Sequence, residues 1–163
     1  MFFEAVSLAG FLDYNNTVAA ADVAAGTWYD IPNNGAGSFS NLDYAPVGIT
    51  GIIDTSTGAI DPTGLSLGDI LLIRNDFTIT PTINDTLMDF RYSLGTGAGA
   101  YTLPKKSIRL TNGAGVADRL VSSTDLIYMG DNNTRYNPIV LQVRCSAAFN
   151  VLNAGSAIAV LRR

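Results

Sequence analysis

Regular alternation of apolar and polar side chains along short segments is the feature that most limits how this chain can fold. The clearest case is residues 87–94, where Asp89, Arg91 and Ser93 separate the apolar positions. The apolar positions of that segment are Met88, Phe90, Tyr92 and Leu94. A two-residue period places one set on each side of a strand, so this segment predicts a β-strand with one buried face.

Similar patterns run through most of the chain. They predict strands at residues 69–80, 139–145 and 157–163, the first with a bend or bulge near Asn75 and Asp76. Weaker patterns predict further strands at residues 8–14, 27–31, 49–54, 107–111, 120–129 and 147–152. Residues 18–26 have a composition compatible with a helix, but the segment is too short for a stable one. We interpret it as a loop ended by Gly26, with a single helical turn as the alternative.

The choice of polar residues also favours strands. Asp, Asn and Thr number 13, 13 and 15, whereas Glu and Gln occur once each and Lys twice. The scarce types cover solvent-facing helices, and the abundant types serve turns and strands. With turn signals spaced between the strands, the sequence predicts an all-β jelly-roll sandwich of about eight to ten antiparallel strands.

The 163 residues fit one domain. Within it, residues 1–48 are richer in Ala and Asn, and we expect them to form a looser N-terminal segment with short strands, packed on the domain or on a partner. Residues 49–163 are expected to form the jelly-roll core.

Several classes of chemistry are excluded by composition. The chain has no His and one Cys, so it can build neither a Ser-His-Asp triad nor a His/Cys zinc site. Cys145 falls on the apolar side of its strand, which predicts a buried, inert thiol. The net charge of −4 argues against a nucleic-acid partner held by phosphate contacts.

Asp89 and Arg91 share a polar strand face, which predicts a surface ion pair or a contact between subunits.

Two loop motifs have both a chemical and a structural interpretation. Residues 95–99 (GTGAG) resemble a phosphate loop, but the extended residues 101–104 follow where a helix is needed, which favours a simple loop. Residues 54–61 and 131–134 are rich in Asp, Asn and Thr oxygens that calcium prefers. Their spacing does not match an EF-hand, so turns are the better interpretation, with a lectin-like calcium loop as the alternative.

The ends and apolar runs carry expectations about location. Residues 1–4 (MFFE) lack the basic start of an export signal, so we expect a cytoplasmic start without cleavage. No run reaches 18 apolar residues, so we expect no membrane partner.

Six segments together resemble a known group of proteins. They are residues 11–17 (FLDYNNT), 26–37 (GTWYDIPNNGAG), 54–57 (DTST), 65–69 (LSLGD), 127–135 (IYMGDNNTR) and 160–163 (VLRR). In these segments the chain resembles tailed-bacteriophage virion proteins of jelly-roll type, commonly capsid decoration (cement) proteins. The resemblance covers nearly the whole chain, although it lies in turns and strand ends.

The resemblance implies a structural role without catalysis or cofactors. A decoration protein of this type is a homotrimer, is made in the host cytoplasm, and binds the major capsid protein on the outer surface of the virion. The trimer-interface candidates are Tyr92, Tyr128, Val160 and Arg162. The capsid-contact candidates are Phe2, Phe3, Leu8, Phe11 and Leu12. The candidates for a distal contact surface are Tyr101 and Tyr136.

Two other roles remain open at this point. One is a receptor- or glycan-binding tip on a head or tail fibre, with a patch of aromatic and Asp residues around Tyr101 or Tyr136. The other is a hydrolase acting on cell-surface sugar, which needs two carboxyl groups about 5–10 Å apart in a cleft.

Overall fold

The computed structural model describes residues 9–15, 20–31, 37–111 and 117–163. Their strands, in chain order, are β1 (Ala9–Asn15), β2 (Ala20–Val23), β3 (Tyr29–Asp30), β4 (Ser38–Ser40), β5 (Ile70–Pro81), β6 (Thr86–Leu94), β7 (Tyr101–Thr102), β8 (Lys106–Leu110), β9 (Arg119–Tyr128), β10 (Ile139–Cys145) and β11 (Phe149–Leu161). A single α-helical turn within these ranges, α1 (Asn132–Tyr136), begins after Asp131, whose carboxylate accepts a hydrogen bond from the Thr134 N–H.

The strands form two antiparallel sheets. The large sheet has the order β4-β1-β11-β5-β9, and β2 also pairs with β11. The small sheet has the order β3-β10-β6-β7, and β8 also pairs with β6. Neighbouring strands come from distant parts of the sequence, as where Ala9 of β1 lies opposite Leu161 of β11. The fold is an antiparallel β-sandwich of jelly-roll type, as the sequence predicts.

One hydrophobic core fills the space between the sheets. It takes alternate residues from the long strands, such as Leu71, Ile73, Phe77 and Ile79 of β5. The rings of Phe77 in the large sheet and Phe90 in the small sheet meet edge to face, with centroids 6.0 Å apart. Such aromatic pairs bury large apolar areas, so this contact helps to hold the two layers together.

The strong strand predictions are confirmed for residues 87–94 and 139–145, and Cys145 is buried as expected. The predicted loop at residues 95–99 contains a 3₁₀ turn and no α-helix. The weaker predictions at residues 8–14, 107–111 and 120–129 correspond to β1, β8 and β9 within a residue at each end. The predicted strand at residues 27–31 shortens to the two residues of β3.

Other predictions are corrected. Residues 49–54 form no strand and make only one isolated bridge, between Ile53 and Ile60, although Ile52 and Ile53 are buried. Residues 20–23, which we expected in a loop, form β2 because they pair with β11. The two strands predicted at 147–152 and 157–163 are one strand, β11.

The irregularity expected near Asn75 and Asp76 lies on the facing strand. The register between β5 and β11 shifts between Asn153 and Gly155, opposite Phe77 and Asp76. Gly155 has φ 137°, a backbone conformation that L-residues with a side chain rarely adopt. The bulge therefore lies at a position where the chain has a glycine.

Within the described residues, none of the helices has the length and apolar character that crossing a lipid bilayer requires.

Candidate interaction surface

The outer side of the large sheet carries an exposed apolar area at one end of its long strands. Strand registers align two rows of four residues across β1, β11, β5 and β9. The first row is Ala9, Leu161, Ile70 and Tyr128, and the second is Phe11, Ala159, Leu72 and Leu126. We call these eight residues the apolar face. None of them is polar except at the Tyr128 hydroxyl, and the residues between them on β5, β9 and β11, namely Leu71, Ile127 and Val160, point into the core.

Polar side chains border the apolar face. The next row across the same strands contains Asp13, Ala157, Arg74 and Thr124. Arg74 donates to the Asp76 carboxylate at 3.2 Å, one step further along β5. A polar border beside an apolar area is typical of the rim of a protein contact surface.

One end of the apolar face is a groove. It has a volume of about 610 Å³ and lies between β1, β11 and the 3₁₀ turn at Leu42–Tyr44. Its lining residues are Ala9, Gly10, Phe11, Asp43, Tyr44, Ala45, Ala159 and Leu161. We call this the β1 groove. Gly10 permits it, because a Cβ there would lie 2.3 Å from the Tyr44 carbonyl oxygen and 2.5 Å from Pro46.

The other end of the apolar face protrudes. Leu126 and Tyr128, on the outer strand β9, are 58% and 53% exposed. We call these two residues the β9 ridge. In the described sheets β9 pairs only with β5, so the ridge stands at the margin of the large sheet.

The outer side of the small sheet is polar and internally satisfied. The Asp89 carboxylate, only 4% exposed, accepts hydrogen bonds from Ser107, Lys105 and Arg144 at 2.6, 2.9 and 2.6 Å. Burial raises the pKa of Asp89, but these three donors outweigh burial and lower its pKa to about 2. The expected ion pair with Arg91 is therefore wrong: Asp89 binds other cations.

Arg91 has different neighbours. Its Nε donates to the Gln142 side-chain oxygen at 3.0 Å, and its guanidinium lies 4.0 Å from the centre of the Trp28 ring. The guanidinium of Arg144 lies 4.7 Å from the same ring. These contacts organise the small sheet's outer side as a network of charges and one aromatic ring.

The trimer-interface candidates separate into three groups. Tyr92 and Val160 are 1% and 0% exposed, inside the sandwich, so neither can touch a neighbouring chain. Tyr92 instead accepts a short hydrogen bond from Asn75 across the core. Arg162 binds its own chain, donating to the Val47 carbonyl oxygen and lying 3.4 Å from Asp69. Tyr128 alone belongs to the apolar face.

The capsid-contact candidates also separate. Leu12 is buried in the core, because the period of β1 turns it inward, and it cannot contact a capsid. Phe11 points outward and belongs to the apolar face. Phe2, Phe3 and Leu8 lie outside the described residues.

The distal candidates lie near each other through α1. The Tyr101 hydroxyl is 2.9 Å from the Thr134 hydroxyl, and Arg135 stacks on the Tyr136 ring. Tyr136 lines a cleft of about 540 Å³ together with Asp54 and Asp61. Asp54 accepts hydrogen bonds from the Ser56 side chain and from the Ser56 and Thr57 N–H groups, which lower its pKa. This is turn geometry, and no group of three His, Cys, Asp or Glu residues suited to a metal occurs in the described ranges.

Sequence reasoning missed most of the apolar face. Its signal is present, however, as consecutive apolar residues at one end of three strands: residues 70–73, 126–128 and 160–161. In an antiparallel sheet with one solvated side, outward positions are expected to be polar, so such runs indicate that both sides of the strand are apolar.

Comparisons with known proteins give similarity of fold only. No protein-family model matches the chain, and no curated protein matches it significantly. Among solved structures, Eiger TNF from S. frugiperda is 11% identical with a TM-score of 0.48, over 95% of this chain and 92% of that one. Infectious bursal disease virus Gt strain is 15% identical with a TM-score of 0.39, over 91% of this chain and 34% of that one.

A third solved structure is cowpea mosaic virus top component. It is 9% identical with a TM-score of 0.35, over 96% of this chain and 84% of that one. Since all three identities are below 25% and all three TM-scores below 0.5, no functional conclusion follows from these similarities.

Proposed function

We propose that this chain is a structural virion protein, a homotrimeric decoration protein that binds the outside of a tailed-bacteriophage capsid and stabilises it. The resemblance of its turn and strand-end segments to such proteins suggests the setting. The observation that carries the proposal is the apolar face, a continuous apolar area on the outer side of an otherwise closed sandwich.

An exposed apolar area fits an assembly role. Monomeric proteins rarely expose large contiguous apolar patches, and those that do commonly use them to bind other proteins. A cement protein needs only such contacts, because a partner that binds the assembled shell and not its separated subunits stabilises the shell by mass action.

The partners in this proposal are further copies of the chain and the major capsid protein. The N-terminal segment, residues 1–48, remains the candidate for gripping the capsid, with Phe2, Phe3 and Leu8 as its proposed contact residues. Residues 9–15 cannot be deleted without disturbing the fold, because β1 pairs with β11 along its full length. The decisive truncation therefore removes residues 1–8 alone.

The test uses capsids stripped of the protein. The full chain is mixed with them and the particles are imaged by electron microscopy. We expect density at three-fold or quasi-three-fold positions across the shell, and its loss when residues 1–8 are deleted. Bare shells, or density only at the tail or a few vertices, would contradict the decoration role.

A second candidate is a receptor- or glycan-binding fibre tip. The cleft beside Tyr136 favours it, since an exposed aromatic ring and the carboxylates of Asp54 and Asp61 occur together. Glycan-array binding that Tyr136→Ala abolishes, with Leu120→Ala as a control at an exposed large side chain outside the cleft, would support it. An array with no positive spot would remove it.

A further inference from the structure

The apolar face has a different shape at each end. The β1 groove is a concave apolar area whose floor includes the small residues Ala9 and Ala159, with Phe11 and Tyr44 beside them. The β9 ridge, at the far margin of the same face, presents Leu126 and Tyr128. One chain cannot bring these two ends together, because β5 lies between the groove strands β1 and β11 and the ridge strand β9 in a continuous sheet.

Two copies can bring them together. When a second copy lies on the apolar face with its strand order reversed, its ridge lies over the groove of the first copy. Both surfaces are largely apolar, with Asp43 at the groove and the Tyr128 hydroxyl at the ridge as exceptions, and both occupy the same two strand rows. We infer that copies of this chain associate by inserting the β9 ridge of one into the β1 groove of another.

Charge at the border fits the same arrangement. In the row next to the apolar face, Asp13 lies on β1 at the groove end, and Arg74 lies on β5 toward the ridge. Placing ridge on groove brings the Arg74 side of one copy toward the Asp13 side of the other. Because Arg74 also binds Asp76 of its own chain, this is a rim contact of modest strength.

The size of the surface also suits a second copy. The five largest side chains of the apolar face expose on the order of 500 Å² together, a large patch for a monomer. A standard interface needs about 800 Å² per partner, so the polar border and Tyr44 have to complete it. The face-to-face pair forms the ridge–groove contact twice and closes at two chains, so the inference goes beyond the proposed function and does not depend on its trimer.

The test pairs a ridge variant with a groove variant. Leu126→Asp puts a carboxylate on the ridge, and Ala159→Lys puts an ammonium group in the groove. Both sites point outward, and in one chain they stand two strand spacings apart, about 10 Å, so neither change alters the core. Leu120→Asp is the matched control, because Leu120 lies on the same side of β9, beyond the polar border, and is 72% exposed.

Sedimentation equilibrium of the purified chains gives the readout, with thermal melting to confirm folding. We expect the unaltered chain and Leu120→Asp to be oligomeric, and Leu126→Asp and Ala159→Lys each to dissociate about a hundredfold more readily. When the two variants are mixed in equal amounts, we expect association to be restored. One ridge–groove contact of the mixed pair is native, and in the other contact the introduced Asp and Lys side chains attract each other. Tyr128→Asp serves as a second ridge variant.

Three results would overturn the inference: an unaltered chain that is monomeric throughout, a Leu126→Asp variant that stays oligomeric, or variants that do not associate when mixed. Failure of the decoration role is seen separately, because it appears as bare capsids in the presence of an intact oligomer. An oligomer held by another surface would be recognised by its indifference to both variants.

Discussion

Asp89 illustrates how one buried charge is tolerated in this sandwich. Its carboxylate lies on the outer side of β6, yet the side chains of Lys105, Ser107 and Arg144 cover it and donate to it. Burying a carboxylate without such donors costs free energy of folding, so the fold depends on all three contacts.

This arrangement predicts a pH dependence. The pKa of Asp89 falls from an ordinary 3.8 to about 2 on folding, so the ionised group stabilises the fold fully above about pH 4. As the pH falls from about 4 to 2, up to about 2 kcal/mol of that stability is lost. Urea unfolding at several pH values should show that Asp89→Asn lowers the free energy of unfolding at neutral pH and that the difference shrinks by pH 2. A difference independent of pH would contradict the assignment.

Gly155 gives a second prediction at the residue scale. Because its φ is 137°, Gly155→Ala should strain the β11 bulge and lower the free energy of unfolding by about 1–3 kcal/mol. Gly51→Ala is the matched control, since Gly51 has no such φ and a Cβ there would lie 3.7 Å from the nearest atom, the Phe39 ring. Equal midpoints in chemical denaturation for the two variants would refute the role of the bulge.

At the scale of elements, alternation predicts strands well where it records one buried face. The strands β6 and β10 follow from their sequences, because their apolar residues all point into the core. Sequence reasoning fails where pairing decides. The Ala-rich β2 becomes a strand only because β11, more than a hundred residues later, lies beside it. Ile52 and Ile53 show the reverse case, being buried without a strand partner along 49–54.

The same limit applies to the candidate site. Consecutive apolar residues at 70–73, 126–128 and 160–161 each predict a strand, but only the registers of β5, β9 and β11 show that their outward residues form one surface. Tyr92 and Val160 were candidates because of residue type and position, yet the alternation of their strands turns them inward. Local pattern thus determines which side a residue faces, and long-range pairing determines which residues share that side.

The apolar face gives a prediction for the whole molecule, because association and unfolding are linked. When only folded chains associate, more protein means a more stable fold. For a pair of chains, a tenfold rise in concentration adds about 0.7 kcal/mol per chain, equivalent to about 1–3 °C in melting temperature for a chain of this size. Calorimetry over about a hundredfold range should show this rise for the unaltered chain and for Leu120→Asp, but not for Leu126→Asp. A melting temperature that is independent of concentration in all three would mean that the apolar face does not join copies of the chain. In that case the capsid itself would become the partner that the face must cover.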